Sequence, residues 1–148
     1  MYKKQLRASI VIDIIEIITF LVIIAIHHFD TAKTLFPLLW LLLVIFILEL
    51  GLSFVFKDTD TRWRRRWKTP LWQVLIWVAF FIGGVVIIIK YPEFWDSIGT
   101  CFLLSFLMGS NFCRNIARYL IVKRYDFDKY ESAVELISEH PEAGKYIK

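Results

Sequence analysis

Residues 8–26 read ASIVIDIIEIITFLVIIAI, a run in which only Ser9, Asp13, Glu16 and Thr19 are polar. At 1.5 Å of rise per residue the run makes a helix of about 28 Å, close to the roughly 30 Å hydrocarbon core of a bilayer. It is too long for the apolar region of a signal peptide, and no small-x-small cleavage site follows it, so it reads as a retained membrane helix. Three further apolar blocks lie downstream, at residues 35–56, 71–89 and 98–122. Together they predict an all-α integral membrane protein, a bundle of four transmembrane helices.

The remaining composition agrees. Of 148 residues 57% are hydrophobic and 17% aromatic, and the mean hydropathy is +0.56. This is more apolar than an ordinary globular domain. The length suits one transmembrane domain, residues 1–125, followed by a short tail, residues 126–148. A polar turn at 27–34, a charged loop at 57–69 and a short turn at 90–97 separate the spans. Thr69 and Pro70 suit the start of the third helix, and Asp96 or Ser97 that of the fourth.

The basic residues set an orientation, because positively charged segments resist translocation. Lys3, Lys4 and Arg7 precede the first span, Lys57, Arg62, Arg64, Arg65, Arg66 and Lys68 fill the middle loop, and Lys123, Arg124, Lys129, Lys145 and Lys148 follow the fourth. The two opposite turns carry only Lys33 and Lys90. The expectation is a multi-pass protein of the cell (plasma) membrane with both termini cytoplasmic. Trp63, Trp67 and Trp72 on one side, and Tyr91, Phe94 and Trp95 on the other, are placed as interfacial rings.

In the tail, Tyr130, Ala133, Val134 and Ile137 have amphipathic helical spacing, and Glu131, Glu135 and Glu139 make the opposite face acidic. A helix lying on anionic lipid would be basic, so this one is expected to meet protein. The Trp63–Trp67 segment of the middle loop is the surface proposed for it, held by a marginal contact.

Five ionisable residues sit inside the spans: Asp13 and Glu16, Glu49, and Arg114 and Arg118. Helical rise from the nearest basic edge places all five at about 7 to 14 Å depth. Buried charges in hydrocarbon face the bundle interior and pair, so the five, with Asn111 and Asn115, form a candidate charged layer. Its alternatives are register-fixing ion pairs, with Arg118 reaching the surface, or a polar cavity that handles an ion, a proton or an anionic headgroup. Cys101, Ser105, Gly109, Cys113 and Ala117 recur every four residues, a small-residue row for close helix packing, with Gly83 and Gly84 as its docking surface. The row packs within the bundle or against a second copy.

Cys101 and Cys113 are about 18 Å apart along one helix, too far for a disulfide. His27, His28 and Asp30 could ligate a metal, with Glu93 or Asp96 to complete the three or four ligands and supporting bonds that a site needs, but the expectation is a plain polar turn and no metal. The sequence contains no glycine-rich phosphate loop, nucleophile elbow or HExxH motif, and implies no cofactor. The Arg–Trp run reads as an anchor near anionic headgroups and not as a nucleic-acid patch.

The partners expected are the lipid bilayer and either a second copy or another membrane protein. The functional expectation is a non-enzymatic component that binds or shields a partner, as an immunity, defence or accessory protein does. A homo-oligomeric channel, flippase or small transporter using the charged layer is the alternative, and an intramembrane enzyme built on His27, His28 and Asp30 is the third.

Overall fold

In the first helix the buried stripe includes both acids. A computed structural model describes residues 1–28, 30–92 and 100–148. Helix α1 (Tyr2–Ile26) buries Tyr2, Gln5, Leu6, Ser9, Asp13, Glu16, Phe20 and Ile24, a stripe at three- and four-residue intervals. Its outer faces carry Val11, Ile14, Ile15, Ile18, Leu21 and Val22, all exposed. A helix in a water-soluble core would bury the isoleucines and expose the acids. This reversed pattern suits apolar surroundings.

Helix α2 (Thr31–Val55) is more apolar and still less covered, with 6% of its most hydrophobic window buried against 28% in α1. Two helices, Tyr2–Ile26 and the Phe36–Val55 part of α2, are long and apolar enough to cross a bilayer, and Leu71–Ile87 is a shorter apolar helix. The protein is all-helical among the described residues, with one isolated antiparallel bridge, Trp67 to Ile147. Membrane association follows from those two helices.

Helix α3 (Lys57–Trp63) and a 3-10 turn, Arg64–Arg66, occupy the segment expected to be a loop. The chain is then extended from Trp67 to Pro70, and α4 (Leu71–Lys90) starts after Pro70 with no side-chain cap. Helix α5 (Thr100–Tyr125) packs mainly on α1, which also contacts α2. Helix α4 stands apart, and its described contact with α5 is aromatic: Phe80 stacks on Phe106 at 3.8 Å between ring centres, and Trp77 meets Phe106 edge-on at 5.0 Å. Phe94, Trp95, Ser97, Glu93 and Asp96 lie outside the described residues, as do the start of the expected fourth span and the side chain of Cys101.

At the end of α5 the chain reverses on Asp126, which is left-handed at φ 48° and ψ 56°. Asp tolerates this conformation better than most residues. The reversal inserts Phe127 between the ring of Trp63, 4.8 Å away, and that of Trp67, 5.6 Å away. Tyr2, Trp63, Val122, Phe127, Leu136, Ala143 and Ile147 form one buried cluster. The tail therefore closes on the Arg–Trp segment and the start of α1, bringing both chain ends to one end of the molecule.

Two details of the expected tail docking change. The helix is α6 (Ala133–Glu139), started by Ser132, whose hydroxyl accepts the Glu135 N–H at 3.2 Å, while the Glu135 carboxylate accepts from the Glu131 N–H at 3.0 Å. This variant of the S-x-x-E cap leaves Tyr130 extended, outside the helix. The inward face then falls on Ala133 and Leu136, and Val134 is 73% exposed. The docking is also no marginal contact, because Phe127, Leu136, Ala143 and Ile147 are 0% exposed. Lys68 N–H donates to the Tyr146 carbonyl at 2.8 Å and Lys148 N–H to that of Arg66 at 2.7 Å.

Candidate functional site

The polar stripe of α1 meets α5 at one point. The Asp13 carboxylate accepts from Asn111 Nδ2 at 2.9 Å and from Asn115 Nδ2 at 2.7 Å. Arg114 in turn donates from Nη2 to Asn111 Oδ1. Asp13 is thus bonded by the two amides, with the Arg114 charge nearby, and Glu16 lies close to both Asp13 and Glu49. The amides act as adaptors, because Asn111 offers its donor to the acid and its acceptor to the base. Asp13, Asn111, Arg114 and Asn115 follow the i, i+3, i+4 logic of two facing helices, with the acid from α1 and the rest from α5.

Arg114 and Arg118 form a wall with a cavity on each side. On one side is a polar crevice of about 90 Å³ that includes Gln5, Ser9, Glu49, Ser53 and Arg64. On the other is a groove of about 380 Å³ between α5 and the Trp67–Gln73 segment, closed below by Lys145 and Tyr146 of the tail. Arg118 lies over the Trp67 ring at 5.3 Å, a cation–π contact. The buried Arg114 Nε–H has no acceptor among the described residues. Indole faces, Leu71 and Ile121 provide apolar walls, while two guanidiniums and the ammonium groups of Lys68 and Lys145 supply positive charge. The groove thus combines an apolar wall with a concentration of positive charge.

The extended Trp67–Pro70 wall and the Lys145–Tyr146 floor were missed at the level of sequence. The Trp-Lys-Thr-Pro break between two helices was a local signal for the wall; the pairing of Trp67 with Ile147 is non-local and left none. The small-residue row is placed differently from the charged layer. Cβ atoms built on Gly109, Gly83 and Gly84 would meet nothing within 4 Å among the described residues. Ser105 and Cys113 are exposed, and Cys113 is a free thiol. The interior of α5 turns instead toward α1 through its asparagines, because unsatisfied amides are costlier to leave in an apolar medium than small apolar side chains.

At the opposite end, Asp30 receives the Lys33 N–H at 3.4 Å and has Lys33 Nζ at 3.7 Å. Among the described residues no three His, Cys, Asp or Glu side chains gather as a metal site would require.

At the tail, partial burial pushes the Asp128 carboxyl up, but hydrogen bonds from the N-terminal ammonium and the Tyr2 and Lys3 amides outweigh it and hold the group below the ordinary carboxylate range. The Tyr130 hydroxyl donates to Glu139 at 2.7 Å, and that bond pushes the phenol up to about 12.

The chain is similar to sterol O-acyltransferase 1 of Chlorocebus aethiops, at 29% identity over 97 residues, which cover 64% of this chain and 15% of that protein. It is similar at 30% identity to the same enzyme of Cricetulus griseus over 73 residues, 47% of this chain and 12% of that one. The likeness to the Macaca fascicularis enzyme is 30% over 79 residues, 51% and 13% of the two chains. The chain thus spans about one seventh or less of the curated relatives it matches. No protein-family profile and no solved structure matches it. These similarities overturn the expectation of a chain with no enzymatic character, since they run to a membrane enzyme.

Proposed function

We propose that this protein crosses the cell membrane four times, with its basic end and both termini in the cytoplasm, and acts on an anionic acyl lipid held in the groove at that end. Helices α1, α2, α4 and α5 are the four spans, and the tail, residues 126–148, is the cytoplasmic cap. The observation that carries the reading is the groove itself: Arg114 and Arg118 line it together with Trp67, Trp72 and Ile121.

Phosphate oxygens are matched by a guanidinium fork, and indole rings sit at the headgroup level of a bilayer. The similarity to sterol O-acyltransferase 1, whose name records transfer of an acyl group to a sterol oxygen, supports lipid acyl chemistry. In this reading Asp13, Asn111 and Asn115 are positioning residues that fix Arg114. The polar crevice behind the wall lets water follow the charged layer from the cytoplasmic end.

Native mass spectrometry of the purified chain tests the reading with dioleoyl phosphatidylglycerol and dioleoyl phosphatidylcholine. The expected result is a preference for the anionic lipid that falls about tenfold in Arg118→Gln, the scale of one charge-assisted hydrogen bond. Equal binding of the two lipids by the unaltered protein would sink the reading.

A second reading keeps the partner-binding expectation and is favoured by the open space around Gly109, Gly83 and Gly84. There, a helix of another membrane protein or a second copy covers the small-residue row of α5. Gly109→Leu would then change the detergent elution volume; an unchanged volume removes this reading.

A further inference from the structure

The basic groove does not end at α4. Thr69 and Gln73, which line it, also begin a shallow, open apolar track along one face of α4 that runs past Val74, Trp77, Val78 and Phe81. From Leu71 to Phe81 the helical part of this track is about 15 Å long, close to one leaflet of a roughly 30 Å core. Its walls are almost wholly apolar, whereas the groove it joins is the positively charged one. Head and tail of an amphiphile are thus provided for in series, in the order and over the length that a bilayer lipid presents them.

Resting on the lipid-binding reading, we infer that the α4 track is the acyl subsite of this protein. An anionic glycerophospholipid from the surrounding leaflet places its phosphate on Arg114 and Arg118 and one acyl chain along Gln73, Trp77 and Phe81. The commitment to a lipid, as against a partner helix, comes from charge and continuity. The α4 face by itself would suit an apolar helix, but the guanidiniums of Arg114 and Arg118 in the adjoining groove call for an anion as well, and a glycerophospholipid brings both in one molecule. Trp77 and Phe80 meet Phe106, which ties α4 to α5 and so joins the two subsites.

The inference separates by experiment from the reading on which it rests. The full chain is reconstituted with phosphatidylglycerol carrying a diazirine midway along one acyl chain, irradiated, and the cross-links are mapped. Cross-links should concentrate on Val74, Trp77, Val78 and Phe81, and a zwitterionic phosphatidylcholine probe should not reproduce the pattern. Val78→Trp fills the track at a half-exposed position and should lower groove cross-linking about fivefold, the scale of intramembrane packing contacts. Val85→Trp, higher on the same helix and outside the track, should not.

The preference for phosphatidylglycerol in native mass spectrometry should survive Val78→Trp, because the headgroup contacts are intact. If that preference exists but cross-links spread evenly over α2 and α4, the acyl subsite is refuted and the headgroup site stands. If the preference is missing from the unaltered protein, the headgroup reading fails and the subsite fails with it.

Discussion

Phe127 holds the tail to the rest of the molecule, and its removal has a computable cost. The ring is 0% exposed and lies within 4.8, 5.6 and 6.4 Å of the centres of Trp63, Trp67 and Tyr2. Truncating a buried Phe to Ala costs about 3–5 kcal/mol, with the spread set by how far the cavity collapses. Trp67 limits collapse here, since its Nε1 donates to the Tyr2 hydroxyl at 2.8 Å and its backbone is held by the bridge to Ile147. At about 1.4 kcal/mol per factor of ten, the population with an undocked tail should rise roughly 100- to 4000-fold. When opening is fast relative to cleavage, proteolysis follows that population. Trypsin cleavage at Lys129 and Lys145 in detergent, timed against the unaltered protein, reads it directly. Val134→Ala is the control, for Val134 is 73% exposed and surface substitutions fall within about 0.5 kcal/mol. If Phe127→Ala is cleaved no faster than Val134→Ala, the tail is not held by this cluster.

The other predictions read different contacts. Asn115→Leu leaves one Asp13 oxygen without its donor, and should cost about 1–3 kcal/mol, seen as a lower melting temperature; the double change with Asp13→Leu should cost less than the sum of the two single changes. Ser132→Ala removes the α6 cap and should cost about 1 kcal/mol, seen as faster tail proteolysis. The tail should also loosen at both extremes of pH. Asp128 titrates lower folded than unfolded, so its contribution is full above about pH 3.9 and is lost as pH falls through the folded value. Tyr130 is the opposite case: its contribution is full below about pH 10 and is lost as pH rises toward 12. Trp63 fluorescence should report both transitions, and a signal flat above pH 10 would contradict the Tyr130–Glu139 bond.

Several elements were legible in the sequence for physical reasons. Apolar length alone marks α1 and α2, because a run such as 8–26 has no stable home in water. The interior charges were also readable, since Asp13, Glu16 and Glu49 cannot face hydrocarbon. What sequence spacing could not give was the identity of their partners. An acid near a base in sequence logic suggests an ion pair, yet the bonds to Asp13 come from Asn111 and Asn115, and only the facing of α1 and α5 reveals that. The tail misled for a local reason. Counting from Tyr130 put Val134 inward, whereas the helix capped by Ser132 turns Ala133 and Leu136 inward and leaves Val134, about 100° around the helix from Ala133, exposed. The cap motif was present in the sequence and would have corrected the phase.

The placement of the arginines explains why one molecule has both a charged layer and a groove. A buried arginine is stable only with acceptors or water, and Arg114 takes one acceptor from Asn111 while its buried Nε–H finds none among the described residues. If the layer served only to fix register, replacing it by apolar residues of similar volume would be neutral or stabilising. A layer kept to present a guanidinium to a ligand behaves otherwise: the apolar replacement folds and loses the ligand. Replacing Asp13, Asn111, Arg114 and Asn115 together by Leu discriminates the two. Retained thermal stability with loss of phosphatidylglycerol preference assigns the layer to binding, and retained stability with retained preference reduces it to packing.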